Sequence, residues 1–183
     1  MTTRFTKKCF LLCMLLAVLG LLPLGCGNGD GFVDGPVVSV ARRFEDLEFT
    51  LSLPKSRYVL GEEIPMYFVL KNVGTKTIEI LSAGGAPYQF QALSGSKEVW
   101  LSSRAGGGGS STITIAPNSS KTFDTIWLQR TPTGSISDPF ISSGKYLISV
   151  WLIPASIDGK YYSPEQKKTD LAANPLEIVI QTP

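Results

Sequence analysis

The stretch that decides the fold is YVLGEEIPMYFVLKNVGTKTIEI, residues 58–80. From Ile64 to Lys71 it alternates. Ile64, Met66, Phe68 and Leu70 fall on one face of an extended strand, and Pro65, Tyr67, Val69 and Lys71 on the other. Gly61 supplies the corner before this run, and Asn72-Val-Gly74 the corner after it. A second alternation, Ile78 and Ile80, follows at once, so the stretch reads as a central pair of strands joined by a short turn. Each has one apolar face, which needs another layer to cover it.

Working outward, the same period recurs. Leu47, Phe49, Leu51 and Leu53 alternate and stop at Pro54. Residues 88–93 and 98–101 flank Ser94-Gly-Ser-Lys97, a hairpin signal. Ser111 to Ile115 and Thr122 to Gln129 are two more strands, separated by the turn Pro117-Asn118-Ser119. Tyr146, Ile148, Val150 and Leu152 line one face of a long strand that begins at Gly144, and Gly144-Lys-Tyr146 resembles the entry of the corner tyrosine of immunoglobulin-like sandwiches, whose hydroxyl ties back to upstream backbone. Asp158-Gly159 is a turn, and Ser163-Pro-Glu-Gln166 has the form of a capping box opening a short helix that stops before Asn174-Pro175. Leu176, Ile178 and Ile180 close the series. Eight or nine short strands, one minor helix and no repeat predict an all-β, immunoglobulin-like sandwich over residues 46–183.

What precedes that domain reads as an address. Arg4, Lys7 and Lys8 lead into an apolar run from Cys9 to Leu24, which ends in Gly25-Cys26. The run is shorter than the roughly 20 residues that span a bilayer and has the layout of a secretory signal. Leu22-Pro-Leu-Gly-Cys26 resembles the lipobox of bacterial lipoproteins, which implies removal of residues 1–25 and lipidation of Cys26. Pro23 departs from the small or branched aliphatic residue usual in that motif. Residues 26–45, glycine-rich at their start, read as the lipidated Cys and a flexible tether, within which Pro36 to Val40 is either a short strand or more tether. The expected location is therefore outside the cytoplasm, anchored to the bacterial cell membrane or outer membrane.

The chain carries 17 Lys and Arg against 15 Asp and Glu, but the signal takes three of those bases and no acid. With 14 bases against 15 acids, the remainder lacks the basic excess that would recruit nucleic acid. Its only cysteine is Cys26, so the domain must stand on its core rather than on disulfides. The sequence has no histidine, which removes the Ser-His-acid arrangement and the usual zinc and copper ligand. Glu62 and Glu63 are adjacent acids that point to opposite faces of an extended chain. Gly106 to Gly109 lacks the Lys and helix of a phosphate loop. Trp100, Trp127 and Trp151 lie within strands and are expected in the core. No catalytic residue, cofactor or metal site is predicted.

The order of motifs resembles the BsuPI-type intracellular proteinase inhibitor family, an immunoglobulin-like sandwich. The residues that carry it are Tyr58-Val-Leu-Gly61-Glu62 leading into Ile64 to Asn72, Tyr88-Gln-Phe90, Val99-Trp100, Trp127 and Gly144-Lys-Tyr146. The resemblance covers roughly residues 46–181, the whole domain. The resemblance implies a protein-binding module, with a subtilisin-type serine protease as partner. An exported address departs from the family's intracellular namesake, and another envelope protein is the other expected partner. A structural or adhesive lipoprotein without inhibition is the alternative. Two loops are the candidate contact surfaces. Arg130, Thr131 and Pro132 lie in a proline-bearing loop, which is stiffer than the polyglycine segment and so loses less entropy on binding. Tyr161 and Tyr162 lie in the long connection 153–174. There, the alternative is that one tyrosine packs down and the other lies on the surface.

Overall fold

A computed structural model describes residues 37–83, 85–102, 110–131 and 137–183. The expected signal with Cys26, residues 27–36, the polyglycine segment and Pro132 lie outside the described residues. Among those described, twelve strands and one helix build three sheets. The first runs β1 (Val38–Phe44), β2 (Leu47–Leu53), β4 (Ile64–Asn72), β9 (Ser120–Trp127). The second runs β3 (Arg57–Val59), β12 (Leu176–Gln181), β10 (Gly144–Leu152), β6 (Tyr88–Ser94), β7 (Lys97–Leu101). A small third sheet runs β11 (Ser156–Ile157), β5 (Ile78–Ala83), β8 (Ser110–Ile115). All neighbours are antiparallel except β3 and β12. This is the expected all-β, immunoglobulin-like sandwich.

The alternation explains the layering. The inner residues of β2 and β4 are buried and face Tyr146, Ile148, Val150 and Leu152 of β10 and the apolar residues of β12. Phe68 is fully buried, stacks on Phe49 at 6.2 Å and meets Phe90 of the opposite sheet edge-on at 6.4 Å. Burying one such side chain contributes about 1.5–3 kcal/mol. At one end Trp100 and Trp127 stack at 5.6 Å, with Tyr146 edge-on to Trp127 at 5.7 Å. The Tyr146 hydroxyl donates to the Ser142 carbonyl at 2.5 Å, so the corner tyrosine does tie back to backbone just upstream.

Four expectations change. The strands β4 and β5 are not a hydrogen-bonded pair: they belong to different sheets, and Asn72 turns the chain from one to the other. Its buried side chain donates to the carbonyls of Lys76 (2.7 Å) and Ile115 (2.9 Å), and accepts from the Gly74 N–H (2.9 Å). A side chain at Gly74 would drive its Cβ to within 2.5 Å of Asp46, which is why this corner takes glycine. The expected tether, 26–45, is too long, because its last residues form β1, paired with β2 along its whole length from Val38↔Leu53 to Phe44↔Leu47. Arg42 obscured that strand by placing a charge in an inward register position; its half-buried side chain donates to the Thr169 carbonyl. The strands β3 and β11 are three and two residues long, too short to show alternation. Trp151 is buried but on the outer face of its sheet, bridged to Ala172 and with the Lys168 ammonium 5.3 Å from its ring.

Candidate functional site

The two candidate loops sit at opposite ends of the sandwich. Loop 128–143 joins the end of β9 to the start of β10, and loop 153–174 leaves the other end of β10. At about 3.4 Å per residue, the nine residues of β10 hold them some 27 Å apart. Arg130 and Thr131 therefore do not converge with Tyr161 and Tyr162.

The first loop is built on Gln129, which the sequence assigns to the end of a strand. The strand stops at Trp127, and Gln129 is fully buried with φ +55°. Its carboxamide oxygen accepts from the Gly61 N–H at 3.0 Å, and its nitrogen donates to the carbonyls of Val59 (2.9 Å) and Glu62 (2.8 Å). The turn before β4 and the base of this loop are thus one unit. Beyond Gln129 the two arms pair. Ile141 N–H donates to Gln129 at 2.9 Å and Thr131 N–H to Pro139 at 3.1 Å. The Arg130 guanidinium lies 3.9 Å from the centre of the Phe140 ring and donates to the Asp138 carbonyl at 2.6 Å. Trp127 Nε1 donates to the Arg130 carbonyl at 3.2 Å. Beside it, burial would raise the Glu62 carboxyl, but hydrogen bonds from Lys55 and the Val59 N–H outweigh that and hold it below the usual carboxylate range.

Loop 153–174 is long but tied down along its course. Ile153 N–H donates to Pro87 (2.7 Å), Ala155 N–H to Leu81 (2.7 Å) and Asp158 N–H to Glu79 (2.8 Å). Glu79 N–H donates to the Asp158 carboxylate at 2.7 Å. Asp158 and Gly159, both at positive φ, make a two-residue turn closed by reciprocal bonds between Ile157 and Lys160. The helix α1 (Pro164–Thr169) has the expected capping box, with Ser163 accepting from Gln166 N–H at 3.2 Å and Gln166 accepting from Ser163 N–H at 2.9 Å. Asn174 donates to the Ala41 carbonyl at 3.0 Å, which fastens the loop's end to β1.

On this frame the tyrosines divide. Tyr162 is buried, edge-on to Phe44 at 6.5 Å, and burial raises its hydroxyl pKa. Tyr161 is 78% exposed. Lys160 lies 5.0 Å from the Tyr162 ring and pairs with Glu45 at 2.8 Å. A shallow hollow of about 130 Å³ opens beside them, lined by Phe44, Asp46, Lys76, Ile78, Asp158 and Tyr162, among others. Among the described residues, no three Cys, Asp or Glu side chains gather closely enough to hold a metal ion.

Gln129 and Phe140 are the residues that sequence reasoning passed over. A lone Gln at the end of an apparent strand carries no pattern. Phe140 lies within the proline-bearing candidate loop without being singled out, and the structure leaves it 47% exposed.

No family model matches the chain, and no curated protein does. Solved structures share its fold only distantly. A β-glucosidase from Listeria innocua aligns with 78% of this chain at 11% identity and a TM-score of 0.43. The chain spans 16% of that enzyme's length. A β-glucosidase from Erythrobacter marinus aligns with 79% of this chain and 15% of its own length, at 8% identity and a TM-score of 0.40. The CARDB domain of a Pyrococcus furiosus protein, solved in complex with di-metal ions, aligns over its whole length with 85% of this chain, at 11% identity and a TM-score of 0.34. The likeness is that of a small β-rich domain to immunoglobulin-like and CARDB-type domains, mostly of larger proteins.

Proposed function

We propose that the chain is a lipid-anchored, non-catalytic protein-binding module of the bacterial envelope. Cys26 holds it to the membrane, and Tyr161 anchors its partner. The observation that carries this reading is the contrast within one tyrosine pair. Tyr161 stands exposed on a loop whose backbone is fastened at Pro87, Leu81, Glu79 and Ala41. A rigid aromatic side chain on an ordered support can bury a large area on binding at little cost in conformational entropy. The absence of histidine from the sequence and of a free thiol once Cys26 carries lipid supports a binding role over a catalytic one.

The partner class in this proposal is a subtilisin-type serine protease, through kinship with the BsuPI-type inhibitors. What supports the kinship is the motif order from Tyr58 to Tyr146 on a sandwich whose corner tyrosine makes its expected bond. The test is titration of the full chain, in detergent micelles, against a panel of subtilisin-type proteases. Inhibition at stoichiometric concentration is expected, weakened at least about tenfold by Tyr161→Ala, a loss typical of an interface anchor. Because Tyr161 is exposed, that substitution should leave the thermal midpoint unchanged. No inhibition by the wild-type chain would sink the protease assignment and favour a structural or adhesive lipoprotein. Inhibition unaffected by Tyr161→Ala would move the contact elsewhere.

A further inference from the structure

The exposed apolar side chains are gathered at one end. Among the described residues six large ones are exposed, and four of them (Val37, Val59, Ile126 and Phe140) lie where β1 begins. Register places them there. Pro65 pairs with Ile126, and Leu51 with Phe68, so Leu53 and its partner Val38 sit level with Met66. Val37 and Pro54 fall one rung further, level with Pro65 and Ile126. Successive side chains alternate, and Val38, Leu53 and Met66 point into the core. Val37, Pro54, Pro65 and Ile126 therefore form an apolar row across the outer face of the first sheet at its end. Phe140 lies beside this row's β4 corner, with its ring 3.9 Å from where a Cβ on Gly61 would stand. Val59 is two residues before Gly61 and is exposed at the end of β3. The charged groups around them are Arg57, Arg130 on the Phe140 ring, the Lys55–Glu62 pair, Glu63, Asp138 beside Arg130, and Asp124, two residues from Ile126 on the same face.

The chain outside the described residues says what covers this end. It enters at Val37, eleven residues after Cys26, a span of at most about 40 Å when fully extended. An acylated Cys26 thus tethers the domain to a bilayer through this end, the one that carries the apolar row. We infer that it is a membrane-docking surface. Val37, Val59, Ile126 and Phe140 settle into the boundary between headgroups and acyl chains of the bilayer that holds the lipid. Arg57 and Arg130 meet its phosphates. Docking follows anchoring, so it is intramolecular, and contacts too weak to recruit a free protein suffice at the resulting effective concentration. It turns loop 153–174 and Tyr161 away from the membrane, toward a partner.

This inference rests on the lipidation of Cys26, and the experiment separates the two. The full lipidated chain is reconstituted into phosphatidylethanolamine–phosphatidylglycerol vesicles carrying nitroxide-labelled lipid. A fluorophore is placed on Ile126→Cys or on Tyr161→Cys. Removal of the signal takes Cys9 and Cys13, and acylation blocks Cys26, so the introduced thiol is the one labelled. Lipid-borne quenching at position 126 should exceed that at 161 by at least about threefold, as interfacial burial requires. Adding Val37→Ser and Phe140→Ser should bring position 126 down toward the level of 161. Equal quenching at the two positions, with the amino-terminal peptide acylated by mass, overturns docking and leaves the anchor standing. Quenching at 126 that the double substitution leaves untouched also overturns it. An unmodified Cys26 overturns the anchor, and docking with it.

Discussion

Replacing Asn72 with alanine is the sharpest test of how this chain changes sheets. The side chain is fully buried and makes three hydrogen bonds, to the carbonyls of Lys76 and Ile115 and from the Gly74 N–H, at 2.7–2.9 Å. Each bond contributes about 1 kcal/mol net, and a buried carbonyl left without a donor costs about 1–3 kcal/mol more. The Ile115 carbonyl is in that position, since its bond to Asn72 is buried. The Lys76 and Gly74 groups lie nearer solvent, where water replaces the lost partner. The expected loss is therefore about 4–6 kcal/mol, a large share of the stability of a domain this size. In urea, with a slope of about 2 kcal/mol per molar, the unfolding midpoint should fall by roughly 2–3 M. Tryptophan emission is the natural probe, because Trp100, Trp127 and Trp151 are all buried. Asn72→Asp should be at least as harmful at neutral pH, since it turns an acceptor-only group toward two carbonyls. A loss below about 1 kcal/mol for Asn72→Ala would refute the reasoning, because a corner held by those bonds cannot lose them so cheaply.

Phe68→Ala should cost about 3–5 kcal/mol in the same measurement, since the ring is fully buried against Phe49 and Phe90. A loss below about 1 kcal/mol would mean that the inward face of β4 is inverted. On the alkaline side, burial pushes the Tyr58 hydroxyl up to about 12. Its contribution is present below the unfolded value near 10 and is lost as pH rises from there through 12. The thermal midpoint should fall across that window, less steeply in Tyr58→Phe; identical pH profiles would show that Tyr58 carries none of the effect.

Much of the architecture was legible before any coordinates. Apolar residues at period two on β2, β4 and β10 mark their buried faces, because a pleated chain turns alternate side chains to opposite sides. Local turn chemistry was equally plain at Asp158-Gly159 and Ser163 to Gln166, because the bonds that close each motif, Ile157 to Lys160 and Ser163 to Gln166, connect near neighbours. Tertiary structure decided what depends on partners distant in sequence. Asn72 reads as a turn residue, yet its bond to Ile115 makes it the hinge between sheets. Arg42 breaks the pattern of β1, and only the Thr169 carbonyl across the fold explains a charge in that register. Gln129 carries no local signal, because its three bonds lie 67 to 70 residues away. Nor does sequence separation show that Arg130 and Tyr161 occupy opposite ends, since that follows from the length of the strand between their loops. Periodicity records which way a side chain faces; what it meets there is set by chain that returns from far along the sequence.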